Sequence, residues 1–228
     1  MLVPRANGRL RQAWPLGFAT FVLSQLPPVP ARVLEIGCGR AGGVAPALAS
    51  AGYDVLAIDP DAPSGSLYRQ ITVEELDDPG PFDAVVAGRV LHHVHLLGPV
   101  LDKLARLAPL LLLDEFAWNH MDEPTVDWYE SQHRVLVAAG REPKGPSNLA
   151  GWRARHTDLH PYETLRRELD ARYEERRFEW RPYFYRWLGG PATESLEQAL
   201  IAAGAIRPIG FRYAGVRTET VRSSADAR

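Results

Sequence analysis

The apolar run Val33-Leu34-Glu35-Ile36 passes directly into Gly37-Cys38-Gly39-Arg40-Ala41-Gly42. A strand that ends in a glycine-spaced turn leaves few architectures open. The backbone there must turn sharply and let a ligand lie against it, and both demands exclude a Cβ. The run therefore reads as a nucleotide-cofactor loop. Gly37, Gly39 and Gly42 also satisfy the G-x-G-x-x-G dinucleotide fingerprint, so the spacing alone leaves two cofactor classes open. Glu35 tips the choice, because a carboxylate beside the loop repels a pyrophosphate but suits a cation such as the ammonium of an amino-acid moiety.

Beyond the loop, strand and helix signals alternate. Strands are predicted at 32–36, 53–58, near 69–72, at 82–87 and at 109–113, with helices near 42–51 and across 97–107. Strands that are apolar throughout imply a parallel sheet covered on both faces. A leading helix over 10–26, with Trp14, Phe18, Phe21, Val22 and Leu26 on one side, ends at Pro27-Pro28 and is positioned to lid the cleft. After the fifth strand a helix opens near Pro124 and closes at Gly140, and residues 141–160 read as an exposed loop or insertion. A helix follows from about Pro161, then an aromatic strand over 178–187, a helix over 192–203 and a last strand over 206–216. The tail from 217 to 228 reads as flexible.

Residues 31–115 resemble the class I S-adenosylmethionine-dependent methyltransferases. The resemblance rests on the acid-x-Gly-x-Gly run at Glu35, with Ala41 where the family usually has a third glycine, and on Phe82-Asp83-Ala84-Val85-Val86-Ala87 followed by Gly88-Arg89-Val90-Leu91-His92-His93. It implies an α/β, Rossmann-like, seven-stranded and mostly parallel sheet with helices on both faces, its last strand pair antiparallel, and a small helical cap. The expected division is a cap helix in 1–30, the methyltransferase domain in 31–216 and the tail. The implied cofactor is S-adenosylmethionine, held by Glu35, Gly37, Cys38 and Gly39. Asp59, at the end of the second strand and 20 residues past Gly39, would take the ribose hydroxyls; that spacing serves NAD equally. The backbone of Val73 would meet the adenine, and Ala87, Gly88 and Arg89 would lie beside the reactive methyl.

For catalysis, His120 leaves the carboxyl end of the fifth strand, where open α/β sheets place ligands, and its ordinary pKa suits proton removal from an acceptor. Asp122 and Glu123 beside it also suit a helix start. His93 is a second candidate. His92, His93 and His95 lack a carboxylate at ligand spacing, so no metal is expected. His133 reads as a core histidine, and His156 and His160 as exposed.

Composition narrows the partners. A net charge of -2 without a clustered basic stretch argues against nucleic acid. No run approaches a membrane span, and Cys38 is the sole cysteine, so a cytoplasmic location is expected, with oligomeric state open. The predicted reaction is methyl transfer to an oxygen or nitrogen of a small, neutral or apolar acceptor. An NAD-dependent oxidoreductase and a non-catalytic S-adenosylmethionine-binding protein remain alternatives.

Overall fold

A computed structural model describes residues 16–77 and 80–219. Helix α1 (Leu16–Gln25) precedes strand β1 (Arg32–Ile36), helix α2 (Ala45–Ser50), β2 (Asp54–Ile58), the two-residue β3 (Tyr68–Arg69) and β4 (Ala84–Gly88). Then come α3 (Leu97–Leu107), β5 (Leu110–Phe116), α4 (Glu123–Ala138), α5 (Leu149–His156), α6 (Tyr162–Asp170), β6 (Tyr173–Arg181), α7 (Pro191–Ala202) and β7 (Gly210–Arg217). Trp14 and most of the predicted tail lie outside the described residues.

The seven strands form one sheet in the order β3-β2-β1-β4-β5-β7-β6. The first five pair in parallel; β7 pairs antiparallel with both β5 and β6. The fold class read from the sequence is thus the one observed. Chain order reverses between β1 and β4, so a crevice opens at their carboxyl ends, the place where open α/β sheets bind ligands.

Alternation along the strands divides the core. Leu34, Val85, Leu111 and Leu113 pack on one face with Val100, Leu101 and Leu104 of α3 and Leu165 and Leu169 of α6. Val33, Val86 and Leu112 pack on the other with Phe18, Phe21 and Val22 of α1 and Leu48 of α2. Helix α1 is therefore a layer of the fold, its apolar residues spent on the sheet. A third cluster, including Phe116, Tyr129, Trp152, Tyr183 and Phe184, builds a cap beyond the carboxyl ends of the strands.

Two segments depart from the sequence reading. Residues 141–160 are not a loop throughout: α5 lies within them, started by Asn148, whose side chain accepts from Gly151 N at 2.8 Å, and it carries a fully buried Trp152. Eight residues with only Leu149 and Trp152 as large apolar side chains give too little periodicity to be recognised. Strand β6 starts at Tyr173, five residues before the expected start at 178, because its first half is the charged run Glu174-Glu175-Arg176-Arg177. Such a run suits the outer edge of the sheet, where charge blocks further pairing.

Candidate active site

The glycine loop is held from below by Glu35. This side chain is fully buried and points to the α1–α2 face, where its carboxylate accepts from Val44 N at 2.9 and 3.1 Å and from Ala45 N at 2.7 Å. It thereby satisfies the amide groups that open α2. At Gly43, whose φ is +57°, any Cβ would collide with that carboxylate. Burial pushes the Glu35 carboxyl up to about 8, against the opposing pull of the two amide donors. Glu35 does not line the cavity above it; its carboxylate is taken up by the amides that open α2.

Gly37 N donates to Ile58 O at 2.9 Å, tying the loop to the end of β2, and Gly42 N donates to Gly39 O at 3.1 Å. Gly39 has φ +58°, and nothing lies within 4 Å of the position a Cβ would take. The Cys38 side chain is buried in the core on the α1–α2 side, and burial pushes its thiol up to about 12. Residues Gly37 to Ala41 form one wall of a 680 Å³ cavity. That size suits a compact organic ligand.

The other walls come from the ends of β4 and β5 and from the cap. Gly88 and Arg89 line the cavity, with Arg89 at φ +57°, a left-handed conformation that is costly for a side chain of this size. Its amide donates to Asp114 O at 2.7 Å. The buried Asp114 carboxylate gathers three guanidinium groups, Arg212 at 3.4 Å, Arg186 at 3.6 Å and Arg89 at 3.9 Å.

His92 and Glu115 are the feature that the sequence did not disclose. Glu115 is fully buried; one carboxylate oxygen accepts from Leu91 N at 2.7 Å and the other lies 2.5 Å from His92 Nδ1. A carboxylate on Nδ1 selects the tautomer protonated there and leaves Nε2 as the acceptor nitrogen. The His92 ring lines the cavity and packs edge-on against Phe116 at 4.8 Å. His93 also lines it, its pKa lowered by burial and by its neighbour His92. His156, expected to be exposed, is buried in the cap wall, where its Nδ1 donates to Trp152 O at 2.7 Å; burial lowers its pKa.

The cap wall has its own carboxylate support. Glu197 of α7, fully buried, accepts from the amides of Tyr183, Phe184 and Tyr185 at 2.7, 3.0 and 2.8 Å. It fixes the short turn that presents Tyr183 and Arg186 to the cavity. Tyr183 stacks on Phe116 at 4.3 Å.

Of the predicted site residues, Gly37, Cys38, Gly39, Gly88, Arg89 and His93 line the cavity. Asp59, Val73 and Ala87 do not. Asp59 directly follows β2, and its carboxylate accepts from Asp61 N at 2.8 Å. Val73 buries its side chain in the core, between Thr72 and Glu75, which exchange reciprocal side-chain and backbone bonds. Ala87 is fully buried within β4. His120 lies away from the cavity, its ring stacked on Trp180 at 5.0 Å and near Tyr162, with Nδ1 buried and unbonded. The chain turns after Ala117 and carries this histidine to the aromatic side of β6 and α6. Asp122, by contrast, caps α4 through Thr125. Among the described residues no cluster of His, Cys, Asp and Glu is able to hold a metal, and no helix is long and apolar enough to cross a membrane.

A family described as a methyltransferase domain matches residues 9–172. Among solved structures, the chain is similar to geranyl diphosphate C-methyltransferase from Streptomyces coelicolor A3(2), at 16% identity over 88% of this chain and 78% of that one, with a TM-score of 0.54. It is similar to an S-adenosylmethionine dependent methyltransferase from Mesorhizobium loti at 14% identity, over 87% and 96% of the two chains, with a TM-score of 0.52. It is also similar to a cyclopropane-fatty-acyl-phospholipid synthase-like protein from Lactobacillus casei at 17% identity, over 95% of each, with a TM-score of 0.51. At these identities the likeness establishes the fold. Comparison with curated proteins gave no match.

Proposed function

We propose that this chain, which belongs to the methyltransferase domain family, transfers a methyl group from S-adenosylmethionine to an oxygen or nitrogen of a small molecule, with His92 taking the acceptor's proton. The loop suits such a cofactor, since a side chain at Gly39 would fill the space that a ligand lying against the backbone needs. The loop backbone from Gly37 to Gly39 and the Gly88–Arg89 turn would hold it, with Asp59 at its ribose and the Val73 backbone at its adenine. When bound, the cofactor supplies a methyl already activated by a sulfonium.

What remains for the protein is alignment and proton removal. His92 Nε2 accepts the proton that an O–H or N–H acceptor releases as it is alkylated. Glu115 holds the ring in that tautomer and stabilises the imidazolium that results. Phe116, Tyr183 and Trp187 wall the acceptor from water. We also propose a cytoplasmic location, where a lone buried thiol such as that of Cys38 stays reduced.

The proposal is carried by the placement of His92, held by Glu115 from behind, and of the glycine loop along one cavity. It is tested by following labelled methyl transfer to a panel of phenols, carboxylates and amines. Turnover that depends on His92 supports the reading; turnover in His92→Asn equal to wild type removes His92 from the chemistry.

A further inference from the structure

A second cavity, of 800 Å³, meets the first at Arg89, Tyr183, Arg186 and Trp187, which line both. Its walls carry six cations: Arg89, Arg141, Lys144, Arg181, Arg186 and Arg212. The acids lining it are Glu142 and Glu194, with Asp114 buried behind. A chain of net charge -2 thus concentrates positive charge at this one hollow.

Internal carboxylates offset these cations only in part. Asp114 supplies one carboxylate to three guanidinium groups. Arg141, Lys144 and Arg181 form no ion pair with any described residue. Arg186 has a buried Nε without a hydrogen-bond partner, and its guanidinium lies 5.0 Å from the Tyr185 ring centre and 5.7 Å from that of Tyr183. Stacking holds the planar fork in place while its edge keeps donors to give. Crowding cations in a half-enclosed space is costly unless an anion completes them.

We infer that the second cavity is an anion subsite that binds a carboxylate or phosphate of the methyl acceptor, while the atom to be methylated reaches the first cavity beside His92. The inference rests on the methyl-transfer reading above and gives it a substrate class: an acceptor with an anionic group on an aromatic or apolar body, the body lying along Tyr183, Tyr185 and Trp187. It revises the neutral acceptor expected from the sequence. Arginine forks match both carboxylate and phosphate geometry, so both are candidates.

Calorimetry on the full chain tests this, with and without S-adenosylhomocysteine, using two matched pairs of probes: 4-hydroxybenzoate against 4-hydroxybenzamide, and 4-hydroxyphenyl phosphate against hydroquinone. The expected result is that the anionic member of at least one pair binds about tenfold more tightly, a preference that fades with added salt. Which pair shows it distinguishes carboxylate from phosphate. Arg181→Gln, and the exposed double variant Arg141→Gln with Lys144→Gln, should each weaken the anionic probe several-fold and leave its neutral partner unchanged. Equal binding of anionic and neutral probes, no binding of either anion, or a preference untouched by both variants overturns the subsite. A variant-sensitive anion preference in a chain that does not bind S-adenosylhomocysteine keeps the subsite and removes the methyl-transfer reading instead.

Discussion

His92 Nδ1 and Glu115 Oε2 lie 23 residues apart in the chain and 2.5 Å apart in space, because parallel pairing of β4 with β5 brings Gly88 level with Asp114. The register that builds the sheet therefore also brings together the histidine proposed as the base and the carboxylate that orients it. A change to either partner should separate chemistry from cofactor binding. His92→Asn is expected to lower kcat by about 100- to 10,000-fold with little change in S-adenosylhomocysteine affinity. Glu115→Gln tests the tautomer: the amide keeps an oxygen for Leu91 N but offers its NH₂ to Nδ1, moving the ring proton to Nε2 and removing the acceptor. A comparable fall in kcat is expected, measured alongside the calorimetric Kd. Wild-type kcat in both variants would refute the assignment.

Glu35 makes stability depend on pH. Its folded carboxyl is raised to about 8 from an ordinary 4.5, so the folded state binds the proton more tightly than the unfolded chain does. The corresponding stabilisation is complete below about pH 4.5 and is lost as pH rises through about 8. Glu35→Gln keeps an oxygen for Val44 N and Ala45 N but cannot ionise. The Tm of wild type minus that of Glu35→Gln should therefore fall between about pH 5 and pH 8. A flat difference across this range contradicts the proposed burial of an ionisable group under the loop.

Glu197 supports the other side of the cavity in the same manner. Glu197→Ala leaves the amides of Tyr183, Phe184 and Tyr185 without their acceptor and should cost about 1–3 kcal/mol in urea unfolding. Because these amides position Tyr183 and Arg186, the KM for acceptor should rise more than the Kd for S-adenosylhomocysteine. An equal effect on both would show a general loss of fold.

The parts legible in the sequence were those encoded locally. The acid and glycines from Glu35 to Gly39 announced the loop, continuous apolar runs announced β1, β4 and β5, and Pro124 with Gly140 bracketed α4. What was hidden depended on partners distant in sequence. Nothing around His92 points to Glu115, since the contact is set by strand neighbours. His156 looked exposed because α5 is short and its burial comes from Trp152, Phe116 and Trp187. His120 was placed on the correct strand end, but the turn after Ala117 decides which side it faces. Glu35 lies beside the loop as read from the sequence, while the bonds its carboxylate accepts from Val44 N and Ala45 N were not legible there.

That the loop from Gly37 to Ala41 forms the cofactor wall is proposed on the geometry of Gly39 and the cavity above it. It is tested most directly by calorimetric titration of S-adenosylhomocysteine into wild type, Gly39→Asn and Asp59→Ala, with circular dichroism to confirm folding. Asparagine tolerates the left-handed backbone at φ +58° and directs its side chain into the space left open at Gly39. Saturable binding is predicted for wild type, loss of binding for folded Gly39→Asn, and a weakening of about 1.5–3 kcal/mol for Asp59→Ala. No binding to wild type, or equal affinity in folded Gly39→Asn, would contradict it.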